Sequence, residues 1–142
     1  MDHDGLRLSD QLCFPLYACA KEVIRHYRPY LDGIDLTYTQ YITMMVMWEH
    51  RQIQLKELGR ILYLDSGTLS PLLKKLAEKG LVTRERSKAD ERDMMITITD
   101  KGMALRDEAA DIPSRMGQCI SITPEEAQTL YKILYKLLDN MG

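Results

Sequence analysis

The chain has 142 residues, a formal net charge of −2, 45% hydrophobic residues and 28% charged residues. That length suits one domain with its own core, or a small domain with helices that pack on a partner, and it excludes two independent domains. No apolar run approaches the roughly 18 residues that cross a membrane, and the acidic start Met1-Asp2-His3-Asp4 is unlike a secretory signal. Three cysteines at 13, 19 and 119 follow no metal-ligand spacing. We therefore expect a single cytoplasmic unit over 1–142, with no cofactor, metal site or membrane partner.

Three helices are predicted in the first part of the chain. Apolar side chains recur at helical spacing from about Leu8 to Tyr30, which indicates the first helix. Thr37 can cap a second helix, and a third, shorter helix carries its apolar residues between Leu55 and Leu62.

The fourth predicted helix has the clearest pattern. Its leucines recur at the i, i+3, i+4 and i+7 positions of one buried stripe, Leu69, Leu72, Leu73 and Leu76. Pro71 cannot donate a helix hydrogen bond, so the helix starts near Asp65 to Thr68. Gly80 ends it.

A hairpin and two further helices complete the chain. Two strands are predicted, Leu81–Arg86 and Met94–Thr99, and the residues between them form the tip of the hairpin. Thr99 caps a fifth helix that runs to about Pro113 or a little beyond. The sixth helix opens with a capping box at Thr123-Pro124-Glu125-Glu126, and its apolar face is wider than one contact needs. The predicted fold is mainly α with a small β-hairpin: a winged helix-turn-helix with six helices.

Short hydroxyl side chains at the start of the fourth helix point to DNA. Ser66, Thr68 and Ser70 let the backbone approach a groove, and they can bond phosphates or base edges. Lys74 and Lys75 lie on the same polar side of the helix. The alternative is that Asp65 or Ser66 is only an N-cap and that the other hydroxyls are solvated.

Positive charge is gathered onto the fourth helix and the hairpin. Residues 74–92 contain seven basic and four acidic side chains, so this segment carries +3 and the remainder −5. We expect Arg92 to enter the minor groove, with Asp90 holding its guanidinium by a charge-assisted bond. The predicted phosphate contacts on the hairpin are Arg84, Arg86 and Lys88. The alternative is an ordinary solvated charged face.

The pattern of the central segment resembles the MarR family of bacterial transcription regulators. The resemblance lies in Leu55-x-x-Leu58-Gly59, in the run Leu64-Asp65-Ser66-Gly67-Thr68-Leu69-Ser70-Pro71-Leu72-Leu73-Lys74-Lys75-Leu76, in Gly80-Leu81-Val82 and in Asp90-Glu91-Arg92. It implies a DNA-binding domain over 36–99 and a helical dimerisation region over 6–35 and 100–142. It also implies a homodimer that binds double-stranded DNA at a palindromic operator, usually as a repressor, and not an enzyme.

The N-terminal part resembles more narrowly the OhrR branch of that family, which senses organic hydroperoxides through a cysteine. The resemblance lies in Gln11-Leu12-Cys13-Phe14-Pro15-Leu16-Tyr17, in Tyr27 and in Leu36-Thr37-Tyr38. It implies that Cys13 is the redox-sensing thiol and that Tyr17, Tyr27 and Tyr38 donate hydrogen bonds to its thiolate, the last two from the partner subunit. Pro15 either kinks the first helix or makes it begin there, which would put the thiol at a positive helix terminus.

The resemblance also implies a candidate resolving cysteine, Cys119, which would form an intersubunit disulfide with oxidised Cys13. The alternative is resolution by a small thiol, with Cys119 as packing; Cys19 is expected to be packing too. Oxidation would tilt the subunits so that the two fourth helices no longer fit half-sites about 34 Å apart.

Three other interpretations remain open. Cys13 and the tyrosines can be plain core residues. A small aromatic or phenolic inducer can bind beneath Tyr17, Tyr27, Tyr38 and Trp48. A thiol peroxidase using Cys13 is the enzyme alternative, although the three histidines, His3, His26 and His50, form no catalytic motif.

Overall fold

The computed structural model describes residues 1–142 and has the predicted winged helix-turn-helix order. The α-helices are α1 (Cys13–Asp32), α2 (Tyr38–His50), α3 (Leu55–Leu62), α4 (Ser66–Glu78), α5 (Asp100–Ala109), α6 (Ile112–Cys119) and α7 (Pro124–Met141). The strands are β1 (Gln52–Gln54), β2 (Val82–Arg86) and β3 (Met94–Ile98), and two short 3-10 turns, Asp4–Leu6 and Leu8–Asp10, precede α1. The chain forms two compact units, Met1–Ile112 and Pro113–Gly142. None of the helices is both long enough and apolar enough to cross a membrane.

Four of the helices begin at side-chain caps that the sequence signals. The capping residues are Thr37, Asp65, Thr99 and Thr123. At α4 the cap is Asp65, whose carboxylate accepts the Thr68 backbone N–H at 2.8 Å. The side-chain oxygen of each cap accepts a hydrogen bond from an amide that the first helical turn leaves without a partner. Because only a few residue types can do this, the helix starts can be predicted from the sequence.

The predicted fifth helix consists of two segments, α5 and α6, separated by a turn at Ala110 and Asp111. Pro113 explains the division. A proline has no N–H to give to the carbonyl four residues earlier, and its ring crowds that carbonyl, so a continuous helix through Ala109 is disfavoured.

The sheet has three antiparallel strands in the order β1-β3-β2. The predicted hairpin of β2 and β3 is present, and β1 adds a third strand that the sequence did not predict: β1 pairs with β3 and sets Ile53 opposite Ile96. β1 has only three residues and follows Arg51, whose φ of 64° turns the chain out of α2. So short a segment carries no alternating pattern of its own, and it becomes a strand only through its partner.

The part of the chain from α2 to β3, here called the winged domain, has its core between α2, α4 and the sheet. All four leucines of the α4 stripe are buried, together with Met44, Met47 and Ile96. The polar side of α4 is therefore the side turned to solvent, which places the residues predicted to contact DNA on an open surface.

Candidate DNA-binding face and thiol site

The first turn of α4 presents hydroxyl groups to solvent around the capping carboxylate. Ser66, Thr68 and Ser70 are exposed, as are Lys74 and Lys75. Hydrogen bonds from the Thr68 side chain and amide hold the pKa of the Asp65 carboxyl below its ordinary value, so the cap is ionised at neutral pH. The cap and the open hydroxyl surface coexist in this turn.

The wing, defined as β2, β3 and the tip 87–93 between them, carries the other predicted contacts. Arg84, Arg86, Lys88 and Arg92 are all exposed. Arg86 also donates from Nη1 to the Glu91 carbonyl oxygen at 3.0 Å, which closes the tip across the hairpin. The guanidinium of Arg86 has further N–H groups for a phosphate.

Asp90 does not hold the Arg92 guanidinium as predicted. Its Oδ1 accepts the Arg92 backbone N–H at 3.0 Å, and its Oδ2 lies 3.4 Å from Lys56 Nζ. An aspartate bonds readily to the amide two residues later, and that turn directs the carboxylate to the backbone rather than to the side chain of Arg92. The Arg92 amide first, and then the Lys56 ammonium, lower the pKa of Asp90. Asp90 therefore fixes the backbone of the wing tip.

A groove of about 640 Å³ separates the start of α4 from the wing and brings further cations to the same face. Lys56 and Arg60 of α3 line it together with Ser66 and Arg92. Arg60 is paired with Glu57 at 2.5 Å. The sequence prediction missed Lys56 and Arg60 because solvent-facing cations on a short helix give no periodic signal; only the packing of α3 beside the wing brings them to this surface.

Cys13 is the first residue of α1, and its side chain is exposed. Pro15 lies in the first turn, so the helix begins at this point and is not kinked there. Of the two effects expected of Pro15, a kink or a helix start, the structure has the helix start. The Cys13 thiol therefore lies at the positive, N-terminal end of a 20-residue helix. Its exposure contradicts the interpretation of Cys13 as a buried small hydrophobe within one chain.

The three predicted tyrosines lie at two separate places. Tyr17 is 62% exposed, with Lys21 Nζ 5.4 Å from its ring centre. Tyr27 and Tyr38 stack on each other with ring centres 4.9 Å apart and planes at 18°. Tyr27 follows Cys13 by 14 positions on α1, which is about 21 Å at 1.5 Å per residue. A single chain therefore does not bring Tyr27 and Tyr38 to its own Cys13.

Tyr41, which the sequence prediction did not include, is buried and extends the stacked pair into a partly buried aromatic cluster. Its ring lies 5.7 Å from Tyr27 and 6.4 Å from Tyr38, and its other neighbour is Trp48 at 6.4 Å. Burial raises the pKa of Tyr27 and Tyr38. Burial and then the two neighbouring tyrosines raise the pKa of Tyr41 to about 12. All three hydroxyls are therefore protonated at neutral pH and can donate hydrogen bonds.

The two remaining cysteines are also exposed. Cys119 is the last residue of α6, and its thiol is 3.7 Å from the Arg115 carbonyl oxygen. Cys19 lies on α1 and is exposed, so the packing expected for it does not come from within this single chain.

The fold and the exposed basic face define a winged-helix protein built to bind DNA, and comparison with known proteins gives its family. The model of the transcriptional regulator family SarA/Rot matches residues 25–109. The organic hydroperoxide resistance transcriptional regulator of Bacillus subtilis is 41% identical over 138 residues, 97% of this chain and 94% of that protein. The HTH-type transcriptional regulator SarZ of Staphylococcus haemolyticus is 43% identical over 133 residues, 94% of this chain and 90% of that protein.

Solved structures of AbfR from Staphylococcus epidermidis are also similar. Reduced AbfR bound to DNA has 31% identity and a TM-score of 0.80, covering 98% of this chain and 96% of that one. Disulfide-formed AbfR has 33% identity and a TM-score of 0.67, with 95% of each chain covered. The chain belongs to the SarA/Rot family, and it is a DNA-binding transcriptional regulator of the MarR/SarA type rather than an enzyme.

Proposed function

We propose that this regulator binds a palindromic operator as a homodimer, acts as a repressor, and leaves the operator when an organic hydroperoxide oxidises Cys13. The observation that carries the DNA-binding part is the common face of α4 and the wing. There Ser66, the first residue of α4, lines the same 640 Å³ groove as Arg92, and the hydroxyls of Thr68 and Ser70 are exposed further along the start of the helix. A helix of this kind fits the major groove, and an arginine on a wing fits the narrow minor groove beside it.

Exposed apolar side chains support the dimer. No residue of α7 is buried in the single chain, although the helix is 18 residues long and carries a wide apolar face. Leu130 is 48% and Ile133 is 50% exposed, and before α1 Leu6 and Leu12 are 80% and 77% exposed. Covering this exposed apolar surface with a second copy of the chain lowers the free energy of the system. A two-fold symmetric pair of recognition helices then matches a palindrome.

The position of Cys13 supports the redox part. A thiolate at a helix N-terminus is stabilised by the helix dipole, and exposure gives a hydroperoxide access to it. Tyr27 is too far along α1 to reach the Cys13 of its own chain, and Tyr38 of α2 stacks on Tyr27, so in this proposal the second copy supplies both tyrosines. The names of the relatives agree with such a role, since one is an organic hydroperoxide resistance regulator and AbfR has been solved with a disulfide formed.

The proposed chemistry is a two-electron oxidation of the thiol. The Cys13 thiolate attacks the terminal peroxide oxygen, the O–O bond breaks, and the alkoxide takes a proton and leaves as an alcohol. Cys13 is then a sulfenic acid. A second thiol, from Cys119 of the other copy or from a small molecule, attacks the sulfenic sulfur and releases water as the disulfide forms.

The test is operator binding by fluorescence anisotropy on the DNA upstream of the chain's own gene, with and without cumene hydroperoxide. We expect the reduced protein to bind, the peroxide to release it, and dithiothreitol to restore binding after disulfide formation. Cys13→Ser should bind and stay bound after peroxide, while Cys19→Ser, the matched control on α1, should respond like the wild type. Release of Cys13→Ser by peroxide would contradict the proposal.

A small phenolic inducer is the second candidate, because a cleft of about 210 Å³ lies beside Tyr38 between α1 and α2. Arg28 and Thr37 also line it and can bond a phenolate. Of the four aromatic residues expected to lie over such an inducer, only Tyr38 lines this cleft; Tyr17, Tyr27 and Trp48 do not. Thermal stabilisation by a phenolic compound that is equal in wild type and Cys13→Ser would favour this candidate.

A further inference from the structure

Two buried polar side chains flank the tip of the wing. Ser87 and Asp93 are each only 3% exposed, although they stand at either end of a polar, solvent-facing loop. Their backbones pair, with the Ser87 N–H donating to the Asp93 carbonyl oxygen at 3.0 Å. Polar groups are buried to this extent only when they have hydrogen-bond partners. The partners of these two side chains therefore identify the contacts that hold the wing tip against the rest of the domain.

The partners lie at the junction between β1 and α3. Asp93 Oδ1 accepts the Lys56 backbone N–H at 3.3 Å and the Met94 N–H at 2.8 Å. On the other side of the tip, Gln54 Nε2 donates to the Ser87 hydroxyl at 2.8 Å. We call these four side chains and amides, from Gln54, Lys56, Ser87 and Asp93, the wing latch.

The latch has a local physical reason. The residue before α3 is Gln54, whose side chain makes no capping bond, so the first amides of α3 lack a partner from their own segment. Asp93 supplies the missing acceptor from 37 residues away. A carboxylate at a helix N-terminus is also favoured by the helix dipole. The exposed Lys56–Asp90 ion pair beside it adds little, because surface pairs are weak.

We infer that Asp93 is a positioning residue for DNA binding, which caps α3 from the wing and so holds Arg92 in place before DNA arrives. This inference rests on the proposed function. Arg92 lies between two fixed points: its own amide is bonded to Asp90, and the next residue is bonded to α3. An arginine that is placed in advance loses less conformational entropy on binding than one on a free loop.

Removal of the Asp93 carboxylate should change operator affinity in the direction opposite to that expected from its charge alone. Asp93→Ala removes a negative charge near DNA, which by simple electrostatics strengthens binding. The latch instead predicts that Asp93→Ala weakens operator binding about tenfold, the size of one lost base-edge contact. Asp93→Asn keeps a side-chain oxygen as acceptor and should retain most of the affinity. Glu91→Ala is the matched control, since Glu91 is an exposed carboxylate on the same tip.

A double variant tests whether Asp93 affects operator binding by positioning Arg92 or through the general stability of the domain. We expect Arg92→Ala and the double variant Arg92→Ala/Asp93→Ala to bind equally, because Asp93 acts through Arg92. Hydrogen exchange on the free proteins should show loss of protection at the Lys56 and Met94 amides in Asp93→Ala and in the double variant, but not in Arg92→Ala. Circular dichroism and the melting transition identify a variant that has failed to fold, in which case Asp93→Ser, with a shorter acceptor, replaces it.

Additive losses in the double variant, or binding by Asp93→Ala at least as tight as by the wild type, would overturn the inference. The proposed function fails differently, since the wild-type protein would then not bind the operator at all.

Discussion

Trp48 and Gly102 join α2 to the helix that follows the wing, through a hydrogen bond from the indole Nε1 to the Gly102 carbonyl oxygen at 2.8 Å. Trp48 also ends the aromatic cluster that begins at Tyr27 and passes through Tyr41. Trp48 packs edge to face on Tyr41, and Tyr41 contacts Tyr27 in a tilted arrangement. The cluster therefore provides a continuous packed connection between the stacked tyrosines and α5, at the base of the wing.

Substitution of Gly102 by alanine should destabilise the winged domain. A Cβ at this position would lie 2.3 Å from the Leu81 carbonyl oxygen and 2.8 Å from Ile98 Cγ1. Backbone at Leu81 would have to shift, and overpacking of this kind costs about 1–3 kcal/mol. Urea unfolding measures the loss. Gly117→Ala is the control, because nothing lies within 4 Å of a Cβ there; equal stability of the two variants would contradict the close approach.

Loss of the Tyr27 hydroxyl should slow oxidation of Cys13 in the dimer. If Tyr27 donates a hydrogen bond to the thiolate of the second copy, Tyr27→Phe removes that stabilisation and makes the thiol less reactive. Stopped-flow alkylation of Cys13 at several pH values, in a variant with the other two cysteines replaced by serine, measures the loss of reactivity. Tyr41→Phe is the control, since Tyr41 is buried in the same cluster. A profile for Tyr27→Phe that coincides with that of the control would argue against the donated bond.

An element could be predicted from the sequence when the residues that form it lie close together along the chain. The start of α4 was predicted correctly because its cap, Asp65, and its buried leucines lie within one helix. The strand β1 was missed because it has only three residues and becomes a strand through its pairing with β3, more than 40 positions later. The role of Asp93 was missed for the same reason: its partner is the amide of Lys56, and no local pattern links the two.

The thiol site was predictable in part. The residues themselves came from a family resemblance, and the structure adds that Cys13 begins α1 and that Tyr27 and Tyr38 stack. The separation of Tyr27 from Cys13 along α1 could be read from the sequence once the helix was assigned. The hydrogen bonds that we propose to the thiolate could not, because in that proposal they join two chains.

The cap at Asp65 should make the stability of the winged domain depend on acid pH. The folded-state pKa of Asp65 is lowered by the bonds from Thr68, so its contribution is fully present above the unfolded value of 3.8 and is lost as pH falls through the folded value. Asp65→Asn keeps an acceptor but lacks the charge. We expect it to be less stable than the wild type at pH 7 and equally stable at the acid end. Urea titrations at several pH values test this; a difference that does not change with pH would exclude the ionised cap as its cause.

A charge on the apolar face of α7 should separate the dimer without unfolding the winged domain. Leu130 is 48% exposed in the single chain, and α7 belongs to a compact unit distinct from Met1–Ile112. In a dimer that buries this face, Leu130→Glu would place an unpaired charge in an apolar interface, which costs several kcal/mol. Sedimentation velocity should then show a monomer, and operator affinity should fall because one winged domain makes only half of the contacts.

The control for this change is Lys132→Glu, on the same helix, where the native side chain is already charged and exposed. It should remain dimeric and keep its affinity for the operator. The melting transition reports on the winged domain in both variants. A Leu130→Glu protein that sediments as a dimer and binds the operator normally would show that the exposed face of α7 is not the dimer interface, and the cover for that surface would have to be sought elsewhere.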